Sequence, residues 1–191
     1  MLNQALAHSR SHQQHYLDTL FDFLRIPSIS TLPESAPDMQ RAARWLADAR
    51  TRVGLEDVAV MDTAGYPVVY GQWLGAGPQA PTLLFYGHYD VQPVDPLGEW
   101  LSPPFEPTVR NNQLFCRGAS DDKGQVFLFL AAVDSSLRTG GRLPVNLKLT
   151  VEGEVTEEVL AEVRALAEDM LANTVIEDVV YVGEPRVSTS S

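Results

Sequence analysis

Short apolar runs alternate with segments of helical period along this chain, and that alternation leaves few folds open. TLLFYGHYD (82–90) and PVNLKLTVEG (144–153) are bounded by turn residues and are too short for buried helices. Each is expected to form a buried strand. Between them, residues 123–138 place Val126, Phe127, Leu130, Val133 and Leu137 on or near one helical face. Helices also fit residues 3–25, 38–53 and 157–172, and strands fit residues 57–62, 67–73, QLFCRG (113–118) and DVVYVGEP (178–185). Pro27 disfavours helix in Ile26, and Gly54 supplies a stop after the second helix. Residues 91–113 hold five prolines and are expected to be irregular. The pattern predicts an α/β layered sandwich around a largely parallel or mixed sheet. A length of 191 residues makes residues 1–191 a single domain.

Charge removes other classes. Lys plus Arg is 14 and Asp plus Glu is 25, a net charge of −11, which repels phosphate backbones and argues against a nucleic-acid partner. No apolar run approaches the roughly 18 residues that cross a bilayer, so no membrane partner is expected. The single cysteine, Cys116, allows no intramolecular disulfide and no cysteine-based zinc site. No basic and then apolar leader opens the sequence, so a cytoplasmic location is expected. Between Glu152 and Glu184 ten carboxylates face one base, Arg164. Most of these acids suit a solvated helix face.

In α/β sheets, ligand-binding side chains collect at the carboxyl ends of strands. His88 with Asp90, Asp121 with Asp122, and Glu152 with Glu154 fall at such ends, and Glu184 ends the last strand. His88 alone could be a structural histidine. The Asp pair, flanked by Gly118 and Gly124, suits cation binding better than packing. Nitrogen and carboxylate donors of this kind suit zinc, manganese or cobalt.

Longer motifs sharpen this. YGHYDVQPV (86–94), Trp100 with PPFEP (103–107), CRGASDDKG (116–124) and LPVNLKLTVEGE (143–154) resemble the zinc-dependent aminoacylase, carnosinase and carboxypeptidase G family. The similarity is strongest to its cytosolic dipeptidase branch, and FLRIPSIS (23–30) and PVVYGQW (67–73) share it. The resemblance implies a phosphorylase/hydrolase-like zinc-peptidase core, with residues 1–191 as the N-terminal part of the catalytic domain and no lid domain. It implies one or two zinc ions, His88 as a metal ligand, Asp90 as the catalytic-site carboxylate that orients it, and Asp121 as a bridging ligand. It also implies a cis peptide at Asp121–Asp122 and a metal-binding role for Glu184. The substrates implied are small peptides or N-acyl amino acids.

The match weakens after residue 154. The family pattern expects a general-base Glu and a ligand Glu where this chain has Val155 and Thr156. Glu157 and Glu158 follow two residues late, either as a displaced pair or as first-turn acids of a helix capped by Thr156. No histidine matches the family's last metal ligand. His8, His12 and His15 share one helical face and fit an exposed polar stripe better than a metal site. Two functions therefore stand: a metal-dependent hydrolase, impaired in this chain, or a non-catalytic α/β domain keeping at most a partial metal site.

Overall fold

The computed structural model describes residues 2–153. The helix expected at 157–172 and the strand expected at 178–185 lie outside that range. The first helix is divided in two, α1 (Leu2–Ser11) and α2 (Gln13–Leu24). They part at His12, whose φ of −110° and ψ of 17° leave the helical basin. The His8 carbonyl accepts a 2.9 Å hydrogen bond from Ser11 Oγ and another of 2.9 Å from His12 Nδ1. Side chains that compete for a backbone acceptor loosen a helix at that point. α3 (Ala36–Val53) has Pro37 in its first turn and ends at Gly54, which adopts a left-handed φ of 95°.

Three strands follow: β1 (Glu56–Met61), β2 (Val68–Trp73) and β3 (Thr82–His88). The proline-rich stretch is less irregular than expected, because β4 (Thr108–Arg110) pairs antiparallel with β5 (Gln113–Phe115). Asn111 and Asn112 join them at φ of 51° and 59°. Two successive positive φ values make the two-residue turn that Asn tolerates best after Gly. α4 (Lys123–Gly140) and β6 (Asn146–Glu152) complete the described fold.

The main sheet has the order β1-β2-β6-β3 and is mixed: β2 is antiparallel to β1 and to β6, while β3 runs parallel to β6. Register divides its faces. Leu83, Phe85 and Gly87 sit beside Leu147, Leu149 and Val151, while Tyr86 and His88 sit beside Thr150 and Glu152. Leu147, Leu149 and Val151 share one buried cluster with Phe23, Met39, Leu46, Val126 and Leu130, so α2, α3 and α4 pack on that face. Phe85 stacks on Phe129 of α4 with ring centroids 4.0 Å apart. Arg50 crosses the core fully buried and donates to the carbonyls of Val69 and Leu149, tying α3 to the two central strands.

β3 departs from the buried strand expected of it. Leu83 is 49% exposed and Leu84 41%, because among the described residues β3 is an edge of the sheet. No helix among these residues is long and apolar enough to cross a membrane.

Candidate metal centre

β3 delivers His88 to its carboxyl end, and Asp90 follows after a two-residue step. The His88 ring meets Asp90 through Nδ1 at 2.9 Å, and the other Asp90 oxygen accepts the Ser30 hydroxyl at 2.6 Å. Asp90 is thus held from the loop after α2 and in turn sets the imidazole's orientation. With Nδ1 engaged, Nε2 faces outward and lies 3.1 Å from Asp121 Oδ1. The Asp90 hydrogen bond, reinforced by the charges of Asp90, Asp122 and Asp121, outweighs partial burial and raises the His88 pKa to about 9.

Asp121 and Asp122 open α4, and the peptide bond between them is cis, as the resemblance implies. Their carboxylates diverge in role. Asp121 stays open to solvent beside Nε2, whereas Asp122 Oδ2 accepts the His88 backbone N–H at 3.1 Å. This approach needs Gly87: a Cβ there would lie 2.6 Å from Asp122 Oδ2 and 2.7 Å from a Val126 methyl. The next residue, Lys123, is fully buried. Its Nζ donates to the carbonyls of Phe23 at 3.2 Å and Ile26 at 2.6 Å and sits 4.8 Å above the Phe23 ring. Burial pulls its pKa down to about 7. The start of α4 is therefore anchored to the end of α2, with the Asp pair between that anchor and β3.

Glu152 was visible in the sequence only as a strand-end acid. In the fold it is the β6 neighbour of His88 and is fully buried. One oxygen accepts the Tyr86 hydroxyl at 3.3 Å, and among the described residues the other has no hydrogen-bond partner. Burial raises its pKa to about 7. What the sequence did not show is the parallel register of β3 and β6, which places residues 88 and 152 side by side.

The donors fit the implied metal in kind. An oriented imidazole nitrogen and a solvent-facing carboxylate oxygen, 3.1 Å apart, are both ligands that zinc, manganese or cobalt accepts. A protein zinc site takes three or four such ligands, and among the described residues no group of three His, Cys, Asp or Glu could hold an ion. Glu184, Val155, Thr156 and the acids Glu154, Glu157 and Glu158 lie outside the described residues. His8 and His12 stack on each other with ring centroids 4.0 Å apart.

Residues 84–190 match the model of the peptidase family M20/M25/M40. The chain is 32% identical over 165 residues to the Beta-Ala-His dipeptidase of Homo sapiens, covering 80% of this chain and 32% of that protein. It is 31% identical over 190 residues to the Cys-Gly metallodipeptidase dug1 of Schizosaccharomyces pombe, covering 91% of this chain and 40% of that protein. The crystal structure of human carnosine dipeptidase 1 superposes with a TM-score of 0.81 at 31% identity, over 92% of this chain and 40% of that one. The chain thus spans less than half the length of these relatives.

Proposed function

The chain belongs to the peptidase family M20/M25/M40, and from that premise we propose that it is part of a metal-dependent hydrolase of dipeptides or N-acyl amino acids acting in the cytoplasm. The observation that supports this most is His88, gripped through Nδ1 by Asp90 and presenting Nε2 to Asp121. A histidine kept only for packing has no use for two carboxylates on its two ring nitrogens. The human relative's name, a dipeptidase for Beta-Ala-His, and the yeast one's, for Cys-Gly, are consistent with small peptide substrates.

In this reading His88, Asp121 and Glu184 hold one or two zinc ions, with manganese or cobalt as alternatives. Bound there, the metal supplies Lewis-acid polarisation of the scissile amide carbonyl. The chain's own residues do the rest. Asp90 holds the Nδ1 proton, so the Nε2 lone pair points outward. Asp122 fixes the strand end through the His88 N–H, and Lys123 anchors the start of α4 to the end of α2.

Val155 and Thr156 favour a second reading, a non-catalytic domain with a partial site, because neither can accept a proton from water. Metal content by elemental analysis, with hydrolysis of a dipeptide panel, separates the two for the parent chain and a Val155→Glu, Thr156→Glu double variant. We expect zinc bound by the parent and lost in Asp121→Asn, with turnover slow in the parent and raised in the double variant. Zinc content indifferent to Asp121→Asn overturns the metal site. Parent turnover in the ordinary enzyme range of roughly 1–10³ s⁻¹ overturns the impairment.

A further inference from the structure

A cavity of about 120 Å³ opens where α2, α3 and α4 meet, and no residue of the candidate metal centre lines it. Its floor is apolar: Ala49 and Val53 come from α3, and Phe127, Leu130 and Ala131 from α4. A cavity of roughly 150 Å³ with such a lining stays dry and takes up benzene. The space here therefore suits a slightly smaller body, about three to five carbons.

The polar lining is not neutral. Asp134 borders the space, but both of its oxygens are engaged: Oδ2 accepts the Tyr16 hydroxyl at 2.7 Å and Oδ1 accepts Arg138 Nε–H at 2.7 Å. That pairing uses one Arg138 nitrogen and leaves the two terminal ones without an acceptor among the described residues. Arg52, exposed and on the same cavity, takes part in no ion pair or hydrogen bond among the described residues. Both arginines occupy the last turns of their helices, where a cation offsets the helix dipole. The dipole accounts for each alone, but not for their convergence on one apolar cavity.

A neutral apolar molecule would leave both guanidinium groups unused, and a bare anion would leave the floor empty. A cation would meet two like charges. We propose that this cavity binds a small monocarboxylate, its compact branched body on the apolar floor and its carboxylate against Arg52 and Arg138. The site is separate from the hydrolase reading and stands or falls without it.

The test titrates the metal-free 191-residue chain, methyl-labelled at alanine, with isovalerate, isovaleramide, isoamylamine and acetate, followed by NMR. Isovalerate should shift the Ala49 and Ala131 methyl resonances saturably and leave the His88 ring signals in place. The amide loses the charge, the amine reverses it, and acetate loses the apolar body. Each should bind at least about tenfold more weakly than isovalerate. Arg52→Gln, a change on an exposed side chain, should lower isovalerate to the affinity of the amide. Amide or acetate binding as tightly as isovalerate, or an Arg52→Gln variant with unchanged affinity, overturns the site. Shifts at His88 with Ala49 and Ala131 unmoved would put the carboxylate at the metal centre instead and overturn it too. The readout needs neither metal nor turnover, so its failure leaves the hydrolase reading untouched.

Discussion

His88 is the residue on which the site turns, and its chemistry is set by its neighbours. Asp90 raises its pKa to about 9 from an ordinary value near 6.5. The folded chain therefore binds a proton there more tightly than the unfolded chain does. In the metal-free protein the stabilising contribution is complete below about pH 6.5 and is lost as pH rises through about 9. Thermal unfolding across that window should show the loss, and Asp90→Asn should flatten it. Metal must displace the same proton, so zinc affinity should rise about tenfold per pH unit up to about pH 9. Asp90→Asn should also cost roughly 10–100-fold in zinc affinity by calorimetry, the usual price of losing a carboxylate behind a ligating imidazole. Glu152 gives the opposite signature. Burial raises its pKa to about 7, so its charged form weighs against folding increasingly as pH rises from about 4.5 through about 7. Glu152→Gln should stabilise the chain at pH 8, by up to roughly 3 kcal/mol at 1.36 kcal/mol per pK unit, and do little at pH 4. Denaturant titrations at the two pH values check this, and equal effects at both would exclude a buried charge as the cause.

At the scale of elements, the site depends on β3 and α4 meeting closely. Gly87→Ala would force a methyl against Asp122 and Val126. It should destabilise by about 1–3 kcal/mol and weaken zinc binding by displacing the Asp122 contact, measured by urea unfolding and by metal titration. The sequence made both elements legible, because the apolar run ending at Gly87-His88 and the helical period after Asp122 are strong local signals. His88, Asp90 and Asp121 were legible as a motif. Other features were written in contacts that local pattern does not record. The break at His12 comes from side chains reaching the His8 carbonyl, which hydrophobic period cannot show. β4 is three residues long and surrounded by prolines, below the length at which alternation is readable. Lys123 looked like the polar start of a helix. It is buried because its stem packs against Gly118 and its ammonium finds the carbonyls at the end of α2. The exposure of Leu83 and Leu84 follows from strand order, since an apolar strand is covered only where another layer or strand lies against it.

Over the whole molecule, charge adds a longer-range effect that no single contact carries. The chain bears −11 overall, and ten carboxylates against one arginine fall between Glu152 and Glu184. Beside the candidate site itself, Asp121 stays open to solvent. A field of this sign should concentrate cationic ligands and repel anionic ones before any specific contact forms. A separate cavity lies between the β4–β5 hairpin and the loop at 95–101 and reaches Ser120, next to Asp121. It should respond differently, because the two arginines and two acids that line it, Arg110, Arg117, Asp95 and Glu99, cancel at close range. The two effects can be separated by salt. The Debye length falls from about 30 Å at 0.01 M ionic strength to about 8 Å at 0.15 M, so long-range attraction fades while contacts within a cavity are screened much less. A Lys-containing dipeptide of net charge +1 should lose severalfold in affinity between those two salt concentrations. Ala-Leu, with no net charge, should change by less than twofold, and a Glu-containing dipeptide of net charge −1 should bind more tightly as salt is added. Calorimetric titration of the three peptides into the metal-free chain reads all three slopes. If the neutral dipeptide shows the same salt dependence as the cationic one, the surface field is not what distinguishes them.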